Sequence, residues 1–205
     1  MAAELATRSE ASSSRFACAL ARFDAENACD PNTIEWEGER IPYELFYAQR
    51  LTAWVLRLEP GASEALLLAA RSQHLCRWKI PRSQYEMTRA GYLQWRAELK
   101  RFHAEKSGEI LAGCGYDEET VARVRALNLK QGLGSDAETQ TLEDALCLVT
   151  LQYQLGELIP KMAAEKLIEV LRKTWRKMSP AGREAALKIP YSAEERALVE
   201  AALAA

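Results

Sequence analysis

Apolar residues recur at spacings of three and four along nearly the whole chain, and that periodicity restricts the fold more than any other feature. "SRFACALARFDAENA" places Phe16, Leu20 and Phe23 on one stripe, the pattern of a helix with one buried face. The same spacing returns in "PYELFYAQRLTAWVLRL", "ASEALLLAARSQHLCRW" and a long stretch from about Thr88 to Leu111. It returns again in "DEETVARVRALNLK", "DAETQTLEDALCLVTLQYQL" and "PKMAAEKLIEVLRKTWRKM", and two short terminal helices follow in "SPAGREAAL" and "SAEERALVEAALAA". No segment alternates polar with β-branched residues as a half-buried strand does. The expected fold class is all-α, a bundle of about eight or nine helices.

The breaks between periodic segments support that division. "CDPNTIEWEGERIP" holds two prolines and a Gly-containing turn signal, so it reads as an irregular connection with room for a short extended piece. Pro42 suits the first turn of the next helix. Ser63 stands near the start of the third helix, and Pro81 stops that helix from running on. Gly108 is a point where the long fourth helix can bend, and "GCGY" ends it. Acidic residues open the fifth helix, where the dipole favours them, and "QGLGSD" forms a flexible loop. Pro160 opens the seventh helix. Ser179 before Pro180 reads as an N-cap with proline in the first helical position. Ser192 and Glu195 have capping-box spacing.

A chain of 205 residues is expected to form one sizeable domain, residues 15–205, after a mobile segment 1–14. Basic residues number 27 and acidic ones 29, giving a net charge near −2. That balance argues against a general nucleic-acid binder while leaving room for a local basic pocket. No apolar run approaches the roughly 20 residues that cross a bilayer, so no membrane partner is expected. "MAAELATRSEASSS" lacks the basic-then-apolar pattern of a secretory signal. Cys18, Cys29, Cys76, Cys114 and Cys147 are scattered and form no C-x-x-C pair. They read as buried free thiols in a reducing compartment, and a cytoplasmic location is expected.

Four ionisable residues share stripes with the core. Glu44 is followed by Ala48, Leu51, Val55 and Leu58 at helical offsets. His74 follows Leu67 and Ala70, His103 follows Leu99 and precedes Ile110, and Asp144 is followed by Leu148 and Leu151. An ionised carboxylate on such a face costs several kcal/mol unless paired, hydrogen-bonded or metal-bound. Two histidines and two carboxylates, one from each of four helices, form a nitrogen–oxygen ligand set. That mix suits a divalent transition metal such as Fe, Mn, Zn, Ni or Co. The alternative is that each is a satisfied core histidine, a cap or an ion-pair partner.

A basic and aromatic shell surrounds His74: Arg71, Arg77, Trp78, Lys79 and Arg82, then Tyr85 and Arg89, with Trp95 and Arg96 from "GYLQWR". Arginine beside flat aromatics can hold a phosphate and stack a planar group, so Arg77, Trp78, Arg82, Tyr85, Trp95 and Arg96 are candidate substrate contacts. If the third helix persists, Arg77 and Trp78 share the side of His74. Lys130 and Gln131, before "QGLGSD", can close over such a ligand. Catalytic candidates are Arg77 and Lys130 for the developing charge and Glu143 as general base, with Glu138 its rival. Glu143 equally suits a cap or a pairing with arginine. No Walker motif or dinucleotide glycine fingerprint occurs, so side chains would hold any nucleotide.

The order of these residues resembles the HD-domain superfamily of metal-dependent phosphohydrolases. "YELFYAQRLTAWVLRL…ASEALLLAARSQHLCRW" is similar to its first ligand-bearing helix pair and "LEDALCLVTL" to its late aspartate helix. That resemblance puts Glu44 at the first histidine, Gln73-His74 at the His-Asp pair and Asp144 at the final aspartate, with His103 as an added histidine. The His-Asp pair itself is absent. The strings "QHLCRWKIPRSQY", "GYLQWR", "FHAEK", "ETQTLEDALCLV" and "LRKTWRKMS" resemble the characteristic blocks of a second family, domain of unknown function 4202, from about Phe16 onward. Some of its members carry a glutamyl-tRNA synthetase label. Lys177-Met178-Ser179 is similar to the start of the synthetase KMSKS loop, but no companion His-Ile-Gly-His and no Rossmann unit are present, so that reading is rejected.

The leading expectation is a metal-assisted hydrolase acting on a phosphorylated, nucleotide-like small molecule in an HD-like pocket. The rival is a non-catalytic ligand-binding or regulatory module that kept the fold and lost the metal. Convergence of the four polar groups on one ion would favour the first; pairing with arginines would favour the second. A di-iron oxidative enzyme is a third reading, and it requires more inward ligands than the sequence offers. A small anionic ligand is the expected partner, and a homo-oligomer is left open.

Overall fold

The structure is a computed structural model that describes residues 2–204, with side chains from residue 13 onward. The expected mobile segment 1–14 falls mostly on side chains outside that set. Helices dominate, as expected, and the described residues form ten of them, rather than the eight or nine expected, with one small hairpin. The contacts group into two compact units. One is built from residues 1–52 and 62–131, the other from 53–61 and 132–205.

The first unit opens with α1 (Ala2–Asn27) and then a two-stranded antiparallel hairpin, β1 (Thr33–Trp36) and β2 (Glu39–Pro42). The tight turn between them has Glu37 and Gly38 at φ 53° and 83°, the left-handed pair a two-residue hairpin requires. The connection expected to be irregular, with room for a short extended piece, is a hairpin, and Pro42 ends its second strand instead of opening the helix. Asp30 caps that helix from a distance: its Oδ2 accepts from the Glu44 amide at 3.0 Å. There follow α2 (Tyr43–Leu58), α3 (Glu64–Ser72), α4 (Arg89–Gly113) and α5 (Glu118–Asn128). Ser63, Thr88 and Asp117 cap the last three through their side chains. Helices α3, α4 and α5 pack together and α1 covers them, burying Phe23, Leu66, Leu68, Leu75, Leu111 and Leu127. Gly108 interrupts nothing in α4. It leaves the space through which the Arg125 guanidinium passes, and an added Cβ would lie 2.3 Å from Arg125 Nε.

The third helix is shorter than its periodicity suggests. It ends at Ser72, and a run of tight turns carries the chain through His74 to Cys76, whose φ of 55° is left-handed. Distant partners hold this conformation. The Cys76 amide donates to Asn27 Oδ1 and its thiol to Glu26, so α1 anchors the turn. Short 3₁₀ turns at Arg77–Lys79 and Arg82–Gln84 complete the link to α4. Cys18 and Cys114 form a disulfide joining α1 to the end of α4. That corrects the expectation of five buried free thiols: Cys76 and Cys147 are free and buried, and Cys29 is free but exposed.

The second unit holds the last residues of α2 with α6 (Ala137–Val149), α7 (Leu155–Leu158), α8 (Ala164–Lys177), α9 (Pro180–Leu187) and α10 (Ala193–Leu203). A π-helical turn, Thr150–Gln154, links α6 to α7. Pro160 lies in a 3₁₀ turn ahead of α8 and not at its start. Ser179 caps α9 with Pro180 in the first turn, and Ser192 with Glu195 makes the capping box of α10. The Lys-Met-Ser string is thus a helix junction.

Candidate functional site

Polar residues gather inside the first unit around His74. Glu44, in the first turn of α2, is 5% exposed. Its Oε2 lies 3.5 Å from His74 Nδ1 and its Oε1 lies 3.8 Å from Arg77 Nε. Oε2 itself accepts no hydrogen bond. Tyr47, one helical turn further along the same face, stacks on the His74 ring at 4.3 Å between centroids. His103, from α4, is 2% exposed, and its ring centroid lies 5.8 Å from that of His74. Arg77 reaches His74 Nε2 at 3.4 Å and lies over the Trp95 ring. Trp95 is fixed by its indole N–H, which donates to the Ile80 carbonyl at 2.8 Å.

The hydrogen bonds assign the histidine tautomers. A guanidinium only donates, so Nε2 of His74 accepts from Arg77 and Nδ1–H faces Glu44. The Leu75 carbonyl only accepts, so His103 Nδ1–H donates to it at 2.9 Å. That leaves His103 Nε2 as a buried lone pair with no partner.

Charge follows from burial. Desolvation, with a smaller push from Asp30, raises the Glu44 carboxyl to about 8 despite the opposing pull of Arg77. Glu44 is therefore largely protonated at neutral pH. Desolvation, with Arg77, His103, Arg96 and Lys130 adding to it, holds His74 well below its ordinary range. Desolvation lowers His103 to about 3 against the raising effect of its bond to Leu75, and Arg77 and Arg96 add to the depression. Desolvation of the Tyr47 ring, reinforced by Glu44, keeps its phenol protonated. The Arg77 guanidinium is itself depressed, first by burial and then by Arg96, while Glu44 opposes. Two neutral imidazoles and a neutral carboxyl thus face the guanidiniums of Arg77 and Arg96.

The other expected site residues divide by location. Arg96 is half-buried beside this group, and Lys130, at φ 58° just past α5, contributes its positive charge. Trp78 lies half-buried in the 3₁₀ turn beside Arg77. Arg82 is committed elsewhere: it donates to the carbonyls of Tyr85, Glu86 and Thr88, tying down the approach to α4. Tyr85 hydrogen-bonds Glu98. Arg71 makes a two-pronged pair with Asp24, and Lys79 lies 3.7 Å from Glu26.

Asp144 and Glu143 belong to the second unit. Asp144 Oδ1 accepts from the Ser179 amide at 2.9 Å and from Gln140 Nε2 at 3.0 Å, and its Oδ2 accepts from the Ser179 hydroxyl. Gly182 leaves the carboxylate its space, since a Cβ there would lie 2.6 Å from Asp144 Cγ. This is the geometry of a buried cap. Glu143 Oε1 lies 3.7 Å from Lys177 Nζ, and Glu138 stands in the first turn of α6.

The chain matches the model described as Domain of unknown function (DUF4202) over residues 17–199. It belongs to the DUF4202 family. No curated protein and no solved structure matches it.

A metal is a poor fit to the polar group of this DUF4202 chain. Among the described residues no three or more His, Cys, Asp or Glu side chains are disposed to hold an ion. Arg77 also lies against both Glu44 and His74, placing positive charge where a metal would need open ligands. His103 alone has the orientation of a ligating histidine, with Nδ1–H fixed on a carbonyl and Nε2 open. Tyr47 is the member that sequence reasoning missed. A tyrosine on a core stripe reads as packing, yet it stands three residues after Glu44, which places both on one face. Among the described residues no helix is long and apolar enough to cross a membrane.

Proposed function

We propose that the polar group around His74 is a binding site for a small anionic, phosphorylated ligand, held by Arg77 and Arg96 with Trp95 as a flat wall. One observation carries this reading. The guanidiniums of Arg77 and Arg96 lie among side chains that burial keeps uncharged, and Arg96 has no ion pair among the described residues. A desolvated cation such as Arg77, without an ionised partner, is costly, and an anion supplies the missing charge. Arginine forks match phosphate oxygens two at a time. Asp30, which acts on Glu44, has its oxygens already occupied by Asn32 and the Glu44 amide. The site is a binding module in this reading, and Glu44 and His74 can exchange a proton only if the ligand brings one to them.

Thermal-shift and calorimetric titration with inorganic phosphate and adenosine monophosphate tests the proposal. Saturating phosphate at a hundred times its Kd stabilises a folded protein by about 2.7 kcal/mol, a readily measured rise in Tm. Arg96→Gln should weaken binding at least tenfold with little change in the Tm of the ligand-free protein. No response to either anion would refute the reading.

Metal-assisted phosphoester hydrolysis on an HD-like fold is the second reading, favoured by the open Nε2 of His103. In that case Glu44, His74 and His103 would be the ligands, and the ion would activate water and polarise a phosphoryl oxygen. Elemental analysis of purified protein separates the two: near-stoichiometric transition metal, lost in a folded His103→Gln variant, favours hydrolysis. A cytoplasmic location goes with either reading through the free thiols of Cys76 and Cys147, and the Cys18–Cys114 bond weighs against it.

A further inference from the structure

The cluster contains one atom that an ionised phosphate ester group cannot satisfy. His103 Nε2 is enclosed and unpartnered. Because Nδ1–H is committed to the Leu75 carbonyl, Nε2 can only accept. The fully ionised phosphate group of a monoester only accepts as well, so by itself it leaves Nε2 orphaned. Glu44 Oε2, equally buried, has no hydrogen bond either. Buried polar atoms in folded proteins are nearly always paired, with protein, water or ligand. Two unpaired atoms in one small cluster, 5% and 2% exposed at their residues, point to a partner that comes with the ligand.

From these atoms we infer that the ligand is a hydroxylated phosphate, a polyol or sugar phosphate, whose hydroxyl donates to His103 Nε2 while Arg77 and Arg96 hold the phosphate. The inference rests on the anion-binding reading above. The donor is a hydroxyl and not an ammonium, because the guanidiniums that attract phosphate repel a second cation. The His74 and His103 rings are 5.8 Å apart and Arg77 borders His74. Hydroxyl and phosphate are therefore separated by only a few bonds. The same geometry disfavours phosphates of flat, hydroxyl-free groups, which would leave Nε2 bare.

Calorimetric titration of the full chain with glycerol 3-phosphate, propyl phosphate and inorganic phosphate, at about pH 7.5 where the two esters are mostly dianions, tests this. The first two share the phosphate ester and chain length and differ in the hydroxyls. Leaving a buried acceptor unpaired should cost propyl phosphate at least about tenfold in affinity. The chain has two histidines, so ¹⁵N-histidine labelling gives an independent readout that requires no variant to fold. Glycerol 3-phosphate should move the unprotonated Nε2 resonance of His103, and propyl phosphate should not. Equal affinities would overturn the hydroxyl assignment and leave the anion site standing. An unmoved Nε2 resonance under saturating glycerol 3-phosphate would mean that an enclosed water is its partner, and would overturn it too. If none of the three phosphates binds, the anion-binding reading and this inference fall together.

Discussion

Glu44→Gln replaces a carboxyl that burial forces to keep its proton with an amide of nearly the same shape. Below pH 4.5, the ordinary value for a glutamate, folded and unfolded chains both hold the proton and the group has no effect. From there to about 8, the value in the folded state, only the unfolded chain releases it. Stability therefore falls as pH rises, by about 1.4 kcal/mol per pH unit. Above that window both states are ionised and the full cost, about 5 kcal/mol, is in place. Glutamine titrates in neither state. Relative to the unsubstituted protein, the variant should gain about 3 kcal/mol between pH 4.5 and 7, or about 6–12 °C in Tm for a chain of this length. Urea denaturation of both proteins at half-unit steps from pH 5 to 8.5 measures the difference. A difference that stays constant across that range would refute the reasoning. It would mean that Glu44 is ionised in the folded state, held by Arg77 and His74 as an ordinary ion pair.

His103 works in the opposite direction. Held at about 3 against an ordinary 6.5, it takes up a proton only on unfolding, so its stabilisation is complete above pH 6.5 and is lost as pH falls towards 3. His103→Gln should shift the acid-denaturation midpoint to lower pH, and an unchanged midpoint would show that the ring is charged in the fold. Asp144→Ala strips the acceptor from the Ser179 amide and hydroxyl and should lower stability by about 1–3 kcal/mol, measured as a fall in urea midpoint. Gly182→Ala should cost a comparable amount by pressing on the same carboxylate, and much less when Asp144 is already alanine. Cys18→Ser opens a bond spanning 96 residues and should cost about 2–4 kcal/mol. Dithiothreitol should lower the Tm of the parent by the same amount and leave the variant unaffected.

Local signals in the sequence were reliable where their partners are local. Ser63, Asp117, Ser179 and Ser192 cap their helices through amides three residues on, so spacing alone exposes them. The end of α3 is different. Nothing in "SQHLCRW" announces a left-handed residue, because the groups that hold Cys76 there, Asn27 and Glu26, lie about fifty residues earlier. Helical continuation would place Arg77 beside His74, and the turn places it there by another route. The extended piece allowed in this connection is legible only as such: Ile34 and Trp36 are separated by Glu35 over only four residues, too few for the alternation of a paired strand to stand out from the surrounding polar text.

The site shows a sharper version of the same limit. An inward stripe reports burial, and Glu44, His103 and Asp144 are indeed 5%, 2% and 3% exposed. It does not report company. Asp144 meets three protein donors and so has no vacancy for a metal or a substrate. His103 meets one acceptor and keeps one open lone pair. The two residues have equivalent patterns in sequence and opposite prospects in chemistry, because what separates them is how many of their hydrogen-bonding positions the protein itself fills. By that criterion Arg82, which donates to three carbonyls, is closed, and Arg96 is open. The open set is Glu44, His103 and Arg96. A ligand with both an anion and a donor would complete all three.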